Sequence, residues 1–130
     1  MSEENVEVLR RVYKAVEARG LEGLMEFATD DVVWISDPGF PGGGRHDGKE
    51  NVRRWLTTLW IYDRVSVDIE EIIDLGDTAL GITRFQGVSV DAPPVDWPWC
   101  HLMSFRDGQI CQAQSFLDRA AALEAARLSA

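Results

Sequence analysis

The chain has 130 residues, which fits a single domain spanning residues 1–130 with a hydrophobic core of its own. Hydrophobic residues make up 45% of it, as in globular proteins, yet no stretch approaches the roughly 20 apolar residues of a membrane helix. A net charge of -9 repels phosphate groups, so nucleic acids and anionic membranes are not expected as partners.

The N-terminus and the cysteine count are typical of a cytoplasmic protein. The first residues, Met-Ser-Glu-Glu, lack the basic start and the apolar run of a signal peptide. The only cysteines, Cys100 and Cys111, are too few for a disulfide framework or a zinc site. No recognisable metal triad is formed by His46, Asp47 and the distant His101. The glycines that precede His46 lack the spacing of a P-loop. Neither a metal nor another cofactor is therefore expected.

Two helices are predicted at the N-terminus. Apolar residues recur at helical spacing over residues 3–19, with Ser2 as the N-cap and Gly20 as the stop signal. Tyr13 lies on the apolar stripe of this helix, so its hydroxyl is expected to find a partner inside the protein, to reach a cavity, or to lie in water at the helix edge. A shorter helix is predicted over residues 21–28.

The first predicted strand, residues 32–36, ends at an acidic residue. Its apolar run, Val-Val-Trp-Ile, predicts a buried strand, and Asp37 then begins a loop rich in proline and glycine. An Asp before a Pro commonly initiates a turn, and the residues alone favour that role for Asp37. After the loop, Asp47 and Glu50 predict a capping box for a third, amphipathic helix that ends at about Tyr62.

The second half of the chain predicts a strand meander and a closing helix. Strands are expected over residues 65–75, 78–90, 95–106 and 109–116. Asp107 and Gly108 predict a two-residue hairpin turn between the last two strands, and Glu71 falls on an apolar position of its strand, which predicts a bulge beside it. The alanine-rich residues 118–128 predict a helix. This order predicts an α+β fold in which helices cover one face of a curved sheet.

The hairpin turn predicts which residues of its two strands share a face. A regular two-residue turn places Phe105 opposite Ile110 and His101 opposite Gln114. The face that carries His101 then mixes large aromatic residues with glutamines, as pocket walls do. The predicted wall consists of Trp55 from the third helix and of Trp97, Trp99, Met103, Gln112, Gln114 and Phe116. A dry core, with His101 hydrogen-bonded to Gln114, fits the same pattern.

Three sequence motifs follow one another along the chain in the order found in one known group of proteins. They are "ATDDVVWISDP" after the two helices, "DGKENVRRWL" after the glycine-rich loop and "SFRDGQI" before the last strand. Together they resemble the SnoaL-like branch of the nuclear transport factor two-like superfamily, and the resemblance covers essentially the whole chain. It implies a cone-like fold, in which a strongly curved mixed or antiparallel sheet wraps around N-terminal helices and encloses a pocket. Members include isomerases, cyclases and plain binding proteins, so the resemblance implies less about function.

Ketosteroid isomerase is the mechanistic template within this resemblance. There an Asp base faces an oxyanion hole made of a Tyr and a protonated Asp. Aligned position by position, Tyr13 falls on the oxyanion tyrosine and Asp37 on the base, while His101 stands in place of the protonated Asp. A neutral imidazole can donate one hydrogen bond to a developing oxyanion. The resemblance also implies that Asp37 points into the pocket, away from Trp34.

Three functions are open on this basis. The first is a cofactor-free enzyme of ketosteroid isomerase or polyketide cyclase type, which performs acid/base chemistry on a hydrophobic carbonyl compound. The second is a protein that binds a hydrophobic small molecule in the same cavity without turnover. The third is an association module that forms a homodimer through the sheet, as the superfamily often does.

Overall fold

The computed structural model describes residues 2–129, and the side chains of residues 4–127. The outer bounds of the predicted domain, Met1 and Ala130, and the side chain of the predicted N-cap, Ser2, lie outside these described parts. The elements in chain order are α1 (Ser2–Arg19), α2 (Leu21–Met25), β1 (Ala28–Ser36), β2 (Gly44–Asp47), α3 (Lys49–Leu59), β3 (Arg64–Asp74), β4 (Thr78–Val88), β5 (Val95–Arg106), β6 (Gln109–Phe116) and α4 (Arg119–Ser129). The predicted α+β class is confirmed.

The start of α3 differs from the prediction. Asp47 does not cap this helix, because it is the last residue of β2 and its carboxylate accepts a hydrogen bond from Arg45 Nε at 3.0 Å. Gly48 occupies the N-cap with a positive φ of 88°, and no side chain caps the helix there. The predicted capping box is therefore wrong. The short strand β2 was not predicted, since its four residues carry no apolar pattern.

The six strands form one mixed sheet in the order β2-β1-β6-β5-β4-β3. The pair β1–β6 is parallel, and every other neighbouring pair is antiparallel. Helix α1 packs against β3 and β4, and α3 packs against β1 and β2. Between these helices and the inner face of the sheet lies the main hydrophobic core, which includes Val12, Val16 and Met25.

Helix α4 lies on the other face of the sheet. It buries Ala122 and Ala126 against Leu80, Ile82 and Cys100. Leu80 and Ile82 belong to β4, where they alternate with residues of the main core such as Ala79 and Phe85 and therefore point to the opposite face of the sheet. The prediction that helices cover only one face is therefore corrected, because α4 carries an apolar stripe of its own that needs a partner surface.

Two bulges decide which residues face inward. The predicted bulge beside Glu71 is confirmed, since the register of β3 and β4 shifts between Ile69 and Glu71. In the hairpin of β5 and β6, Phe105 pairs with Ile110 as predicted, but the register then shifts. Cys111 is the extra residue of this second bulge, which the sequence pattern did not predict.

The second bulge moves the glutamines of β6 out of the interior. Beyond it His101 pairs with Ser115 and Met103 with Ala113, one residue away from the predicted register. The bulge lets Ile110 and Ala113 both lie buried, while the amide of Gln112 stays in solvent. A regular hairpin would have buried polar amides in the core, which is costly unless every group finds a partner.

None of the helices in the described part of the chain combines the length and the apolar character needed to cross a membrane.

Candidate functional site

A cavity of about 290 Å³ lies between α3, the loop that follows β1 and the inner face of the sheet. Aromatic rings form most of its wall. These rings belong to Trp34, Phe40, Trp55, Trp60, Tyr62, Phe85, Trp97 and Trp99. Leu56, Leu59, Pro41 and Ser115 complete the lining, and none of these described residues carries a charge. All five tryptophans of the chain therefore border one cavity.

Helix α3 and the glycine-rich loop form one side of the cavity together. Trp55 lies on the apolar face of α3, and its indole Nε1 donates a hydrogen bond to the carbonyl of Pro41 at 3.1 Å. The ring of His46 stacks on Trp55, with the ring centroids 4.5 Å apart. Gly42 has a φ of 69°, and a Cβ there would lie 3.1 Å from the Trp55 indole nitrogen. The loop can therefore pass closely over this tryptophan.

The opposite wall is built by cross-strand aromatic pairs. Phe85 on β4 pairs with Trp97 on β5, and their rings stack with an interplanar angle of 9° and centroids 5.7 Å apart. Trp99 meets Phe85 edge to face at 5.2 Å. The ring of Tyr62 covers Gly87, where a Cβ would lie 2.6 Å from the ring. These stacked and edge-to-face contacts hold the rings in a closely packed aromatic wall.

Tyr13 and His101 meet directly behind this wall. The Tyr13 hydroxyl lies 3.4 Å from His101 Nδ1, and both side chains are buried. Gly81 pairs with His101 across the strands, and a Cβ at Gly81 would overlap the Tyr13 hydroxyl. Burial raises the pKa of Tyr13 and lowers the pKa of His101 to about 3. The tyrosine therefore stays protonated and the imidazole neutral at physiological pH.

The imidazole of His101 is enclosed by two indoles of the cavity wall. Trp99 contacts it edge to face with the centroids 4.1 Å apart, and Trp34 lies at 6.0 Å in a similar T-shaped arrangement. Both tryptophans line the cavity, whereas His101 and Tyr13 are not among its lining residues. The tyrosine–histidine pair thus supports the wall from behind.

Ser115 places a small polar side chain on the cavity surface. Its Oγ accepts a hydrogen bond from Trp34 Nε1 at 2.9 Å. Two further polar atoms, Ser36 Oγ and His101 Nε2, are buried without a hydrogen-bond partner within the described residues. Neither serine was a predicted site residue, since a serine on a strand gives no signal until the strand register is known.

Asp37 does not face the cavity. The inward residues of β1 are Val32, Trp34 and Ser36, so the predicted orientation, with Trp34 turned away and Asp37 turned inward, is wrong. The Asp37 carboxylate instead binds backbone amides: Oδ1 accepts from Gly39 at 2.8 Å and Oδ2 from Leu117 at 3.4 Å. This is the turn role that the residues alone favoured.

The predicted pocket wall divides into three groups. Trp55, Trp97 and Trp99 line the cavity, whereas Met103 lies fully buried in the main core beside it. The bulge at Cys111 places the remaining three on the opposite face: Gln112, Gln114 and Phe116. There Phe116 packs with the cluster beneath α4. The predicted contact between His101 and Gln114 is therefore wrong, and Tyr13 is the hydrogen-bond partner of His101 instead.

Nothing in the described part of the chain assembles three or more His, Cys, Asp or Glu side chains into a group able to hold a metal ion. The ring of His46 is engaged by its own loop, since Nε2 lies 2.9 Å from the carbonyl oxygen of Gly42.

A mixed six-stranded sheet that holds a cavity against its N-terminal helices defines the class: a cone-like fold of the NTF2-like type. The family model for the SnoaL-like domain matches residues 9–113, and the chain belongs to this family. A comparison with curated proteins found no significant match.

Solved structures share this fold over nearly the whole chain. An NTF2-like protein from Burkholderia pseudomallei matches with a TM-score of 0.74 and 20% identity, over 96% of this chain and 96% of that chain. TerC, co-crystallized with polyporic acid, matches with a TM-score of 0.72 and 20% identity over 95% and 98%. A putative SnoaL-like polyketide cyclase from a Jannaschia species matches with a TM-score of 0.70 and 21% identity over 95% and 92%. The predicted superfamily and cone-like fold are confirmed.

Proposed function

We propose that this chain binds a flat, largely apolar small molecule in the cavity between α3 and the sheet. The observation that carries the proposal is the rigid aromatic wall: stacked Phe85 and Trp97, with Trp99 at their edge. Such a wall offers broad apolar contact to a ring system, and the cavity volume is near the lower end of the range of ligand pockets. A related fold, TerC, was co-crystallized with polyporic acid, which supports a ligand-binding role.

A cavity-filling variant tests this proposal. Leu59 lines the cavity at the end of α3, so Leu59→Trp is expected to fill the space and abolish binding. Thr57→Trp is the matched control, because Thr57 is exposed on the same helix. Calorimetric titration with 1-indanone, a flat fused-ring ketone, measures both variants against wild type. Equal binding by all three proteins would show that the cavity is not the binding site.

A second candidate function is cofactor-free acid/base chemistry on a hydrophobic carbonyl compound, of the isomerase, cyclase or hydratase kind. The buried hydrogen bond between Tyr13 and His101 favours it, because it joins two of the three side chains that the resemblance assigns to catalysis. The third, Asp37, is bound to its own loop and would have to reach a substrate from the end of β1.

Proton exchange tests the second candidate. If Asp37 acts as the base, the protein will accelerate deuterium incorporation next to the carbonyl of 1-indanone, and Asp37→Asn will abolish this while ligand affinity stays close to wild type. Asp30→Asn, at an exposed position of β1, is the matched control. Loss of folding in Asp37→Asn would assign Asp37 a structural role, and unchanged exchange would exclude it as the base.

A cytoplasmic location and a homodimeric state are further parts of the proposal.

A further inference from the structure

The cavity offers a ligand aromatic rings and few hydrogen-bonding groups. Of the twelve described residues that line it, eight are aromatic and none carries a charge. Two indole donors of this lining are already engaged within the protein. Trp34 Nε1 donates to Ser115 Oγ at 2.9 Å, and Trp55 Nε1 donates to the carbonyl of Pro41 at 3.1 Å. A ligand group that needs several hydrogen bonds would therefore lose its hydration here without replacement.

The rings that line the cavity stand at different angles to one another. Phe85 and Trp97 stack with 9° between their planes, whereas Trp60 stands at 85° to Phe85. On the side of α3, His46 stacks on one face of Trp55 with 12° between the planes, so the opposite face of this indole is the one left for the cavity. We call the eight aromatic residues of the lining the aromatic cage.

The aromatic cage and the net charge of the chain favour the same kind of ligand. The face of an aromatic ring carries partial negative charge, and it attracts a cation that lies within about 6 Å of the ring centroid, tryptophan most strongly. Five of the eight rings are tryptophans. The net charge of -9 attracts cations over a longer range and repels anions. A positively charged ligand is therefore favoured both by the lining and by the whole chain.

The shortage of hydrogen-bonding groups decides which cation fits. A primary ammonium carries three N–H donors and is strongly hydrated, and the lining offers little beyond Ser115 to replace that hydration. A nitrogen whose substituents are all carbon has no N–H group, and its charge is spread over the neighbouring carbon atoms. Such a cation loses the least on leaving water, and the attraction of the rings offsets that loss.

We infer that the cavity selects a flat aromatic cation whose ring nitrogen is alkylated, as in an N-alkylquinolinium, and that the aromatic cage holds its charge. This inference rests on the proposed binding function and adds the charge of the ligand to it. An anion fits poorly, because no cationic side chain of the described lining compensates for its desolvation. A neutral ring compound of the same shape binds through apolar contact alone and is held less tightly.

A pair of compounds with the same shape and different charge tests the inference. N-methylquinolinium and 1-methylnaphthalene have the same fused rings and the same methyl position, and the first carries a positive nitrogen where the second carries a carbon. Wild type is expected to bind N-methylquinolinium about threefold to tenfold more tightly, the range that one or two cation–π contacts supply. Calorimetric titration measures both affinities.

Fluorinated tryptophan locates the effect in the aromatic cage. All five tryptophans of the chain line the cavity, so replacing every tryptophan by 5-fluorotryptophan alters rings of the cage and no tryptophan elsewhere. Fluorine hardly changes the shape of the indole, but it withdraws electron density from the ring face. We expect N-methylquinolinium to bind about twofold to fivefold more weakly to the fluorinated protein and 1-methylnaphthalene to bind as before. Equal changes for both compounds would overturn the cation–π assignment.

A substitution in the cage and added salt separate the rings from the net charge. Trp97→Leu is expected to lower the preference for the cation by about threefold. Phe105→Leu is the matched control, since Phe105 also lies on β5 but does not line the cavity. In 1 M sodium chloride the Debye length is about 3 Å, so a preference held by the rings stays within about twofold of its value at low salt. Loss of the preference in the control, or in salt alone, overturns the assignment to the cage.

The outcomes distinguish this inference from the function on which it rests. If wild type binds 1-methylnaphthalene and 1-indanone but binds N-methylquinolinium no more tightly, the cavity binds apolar ring compounds without selecting a cation, and the inference is overturned while the proposed function stands. If none of the three compounds binds up to its solubility limit, the proposed function fails and the inference fails with it.

Discussion

At Gly81 the backbone of β4 passes directly beneath the phenol of Tyr13. A Cβ there would overlap the Tyr13 hydroxyl, and β4 is held between β3 and β5, so neither side can move aside freely. We predict that Gly81→Ala lowers the free energy of unfolding by about 1–3 kcal/mol, the usual cost of overpacking a core. Urea denaturation measures this loss.

Tyr13→Phe is the control for this prediction, because it removes the oxygen that the new methyl group meets first. In a double-mutant cycle, Gly81→Ala is expected to cost less in the Tyr13→Phe background than in wild type. Equal costs in both backgrounds would show that the two positions do not interact.

His101 gives the stability of the protein a defined dependence on pH. Burial lowers its pKa to about 3 in the folded state, against about 6.5 for a solvated histidine. Between these values the unfolded chain binds the proton and the folded protein does not, so stability falls as the pH falls from 6.5 toward 3. At most about 1.4 kcal/mol is lost for each pH unit in this window.

The prediction is checked with His101→Phe, which keeps a ring of similar size but cannot titrate. Between pH 6.5 and pH 5, wild type is expected to lose up to about 2 kcal/mol more stability than this variant, measured by urea denaturation. Parallel losses in the two proteins would contradict a buried, neutral imidazole at this position.

At the scale of elements, the hairpin of β5 and β6 shows what a sequence pattern can and cannot decide. The turn was predictable because Asp-Gly is a preferred pair in two-residue hairpin turns, where both residues need a positive φ. Asp107 and Gly108 have φ values of 53° and 76°. The bulge beside Glu71 was predictable because a charge broke the apolar alternation. The bulge at Cys111 was not, since cysteine suits either face and a glutamine opposite a histidine looked like a reasonable hydrogen-bonded pair.

The orientation of β1 was unpredictable for a related reason. Residues 32–35 are all apolar, so the pattern does not indicate which of them face inward. The predicted orientation of the strand therefore depended on the role assigned to Asp37. Tyr13 and His101 could be predicted as site residues from the sequence, and so could three tryptophans of the cavity wall: Trp55, Trp97 and Trp99. The buried positions of Ser36 and Ser115 required the registers of β1, β5 and β6, which only the structure provides.

Deleting single residues of β6 tests the role of the bulge. Deletion of Cys111 leaves Ile110, Ala113 and Ser115 facing inward in a regular hairpin, so we expect a folded protein that loses about 1–3 kcal/mol. Deletion of Ala113 turns a glutamine toward the core whichever register the hairpin adopts, and we expect this variant not to fold. Circular dichroism distinguishes the two. A folded Ala113 deletion beside an unfolded Cys111 deletion would overturn the register.

At the scale of the whole molecule, the two faces of the sheet have different surroundings. The inner face is covered by α1, α2 and α3 and carries the cavity, while α4 covers only part of the outer face. Toward β1 and β6 the outer face keeps apolar side chains half-buried rather than buried, among them Val33 and Ile35. This surface is where the predicted homodimer would form, as a sheet-to-sheet contact between two copies.

We predict that the chain is a dimer at micromolar concentration and that Ile35→Arg makes it a monomer. A stable interface buries about 800 Å² on each partner and tolerates no unpaired charge at its centre. Val90→Arg is the control, since Val90 is exposed in the loop between β4 and β5, away from this face. Each copy carries a net charge of -9, so added salt is expected to strengthen the dimer by screening the repulsion between copies. Light scattering measures both effects, and a wild-type monomer at every salt concentration would exclude the dimer.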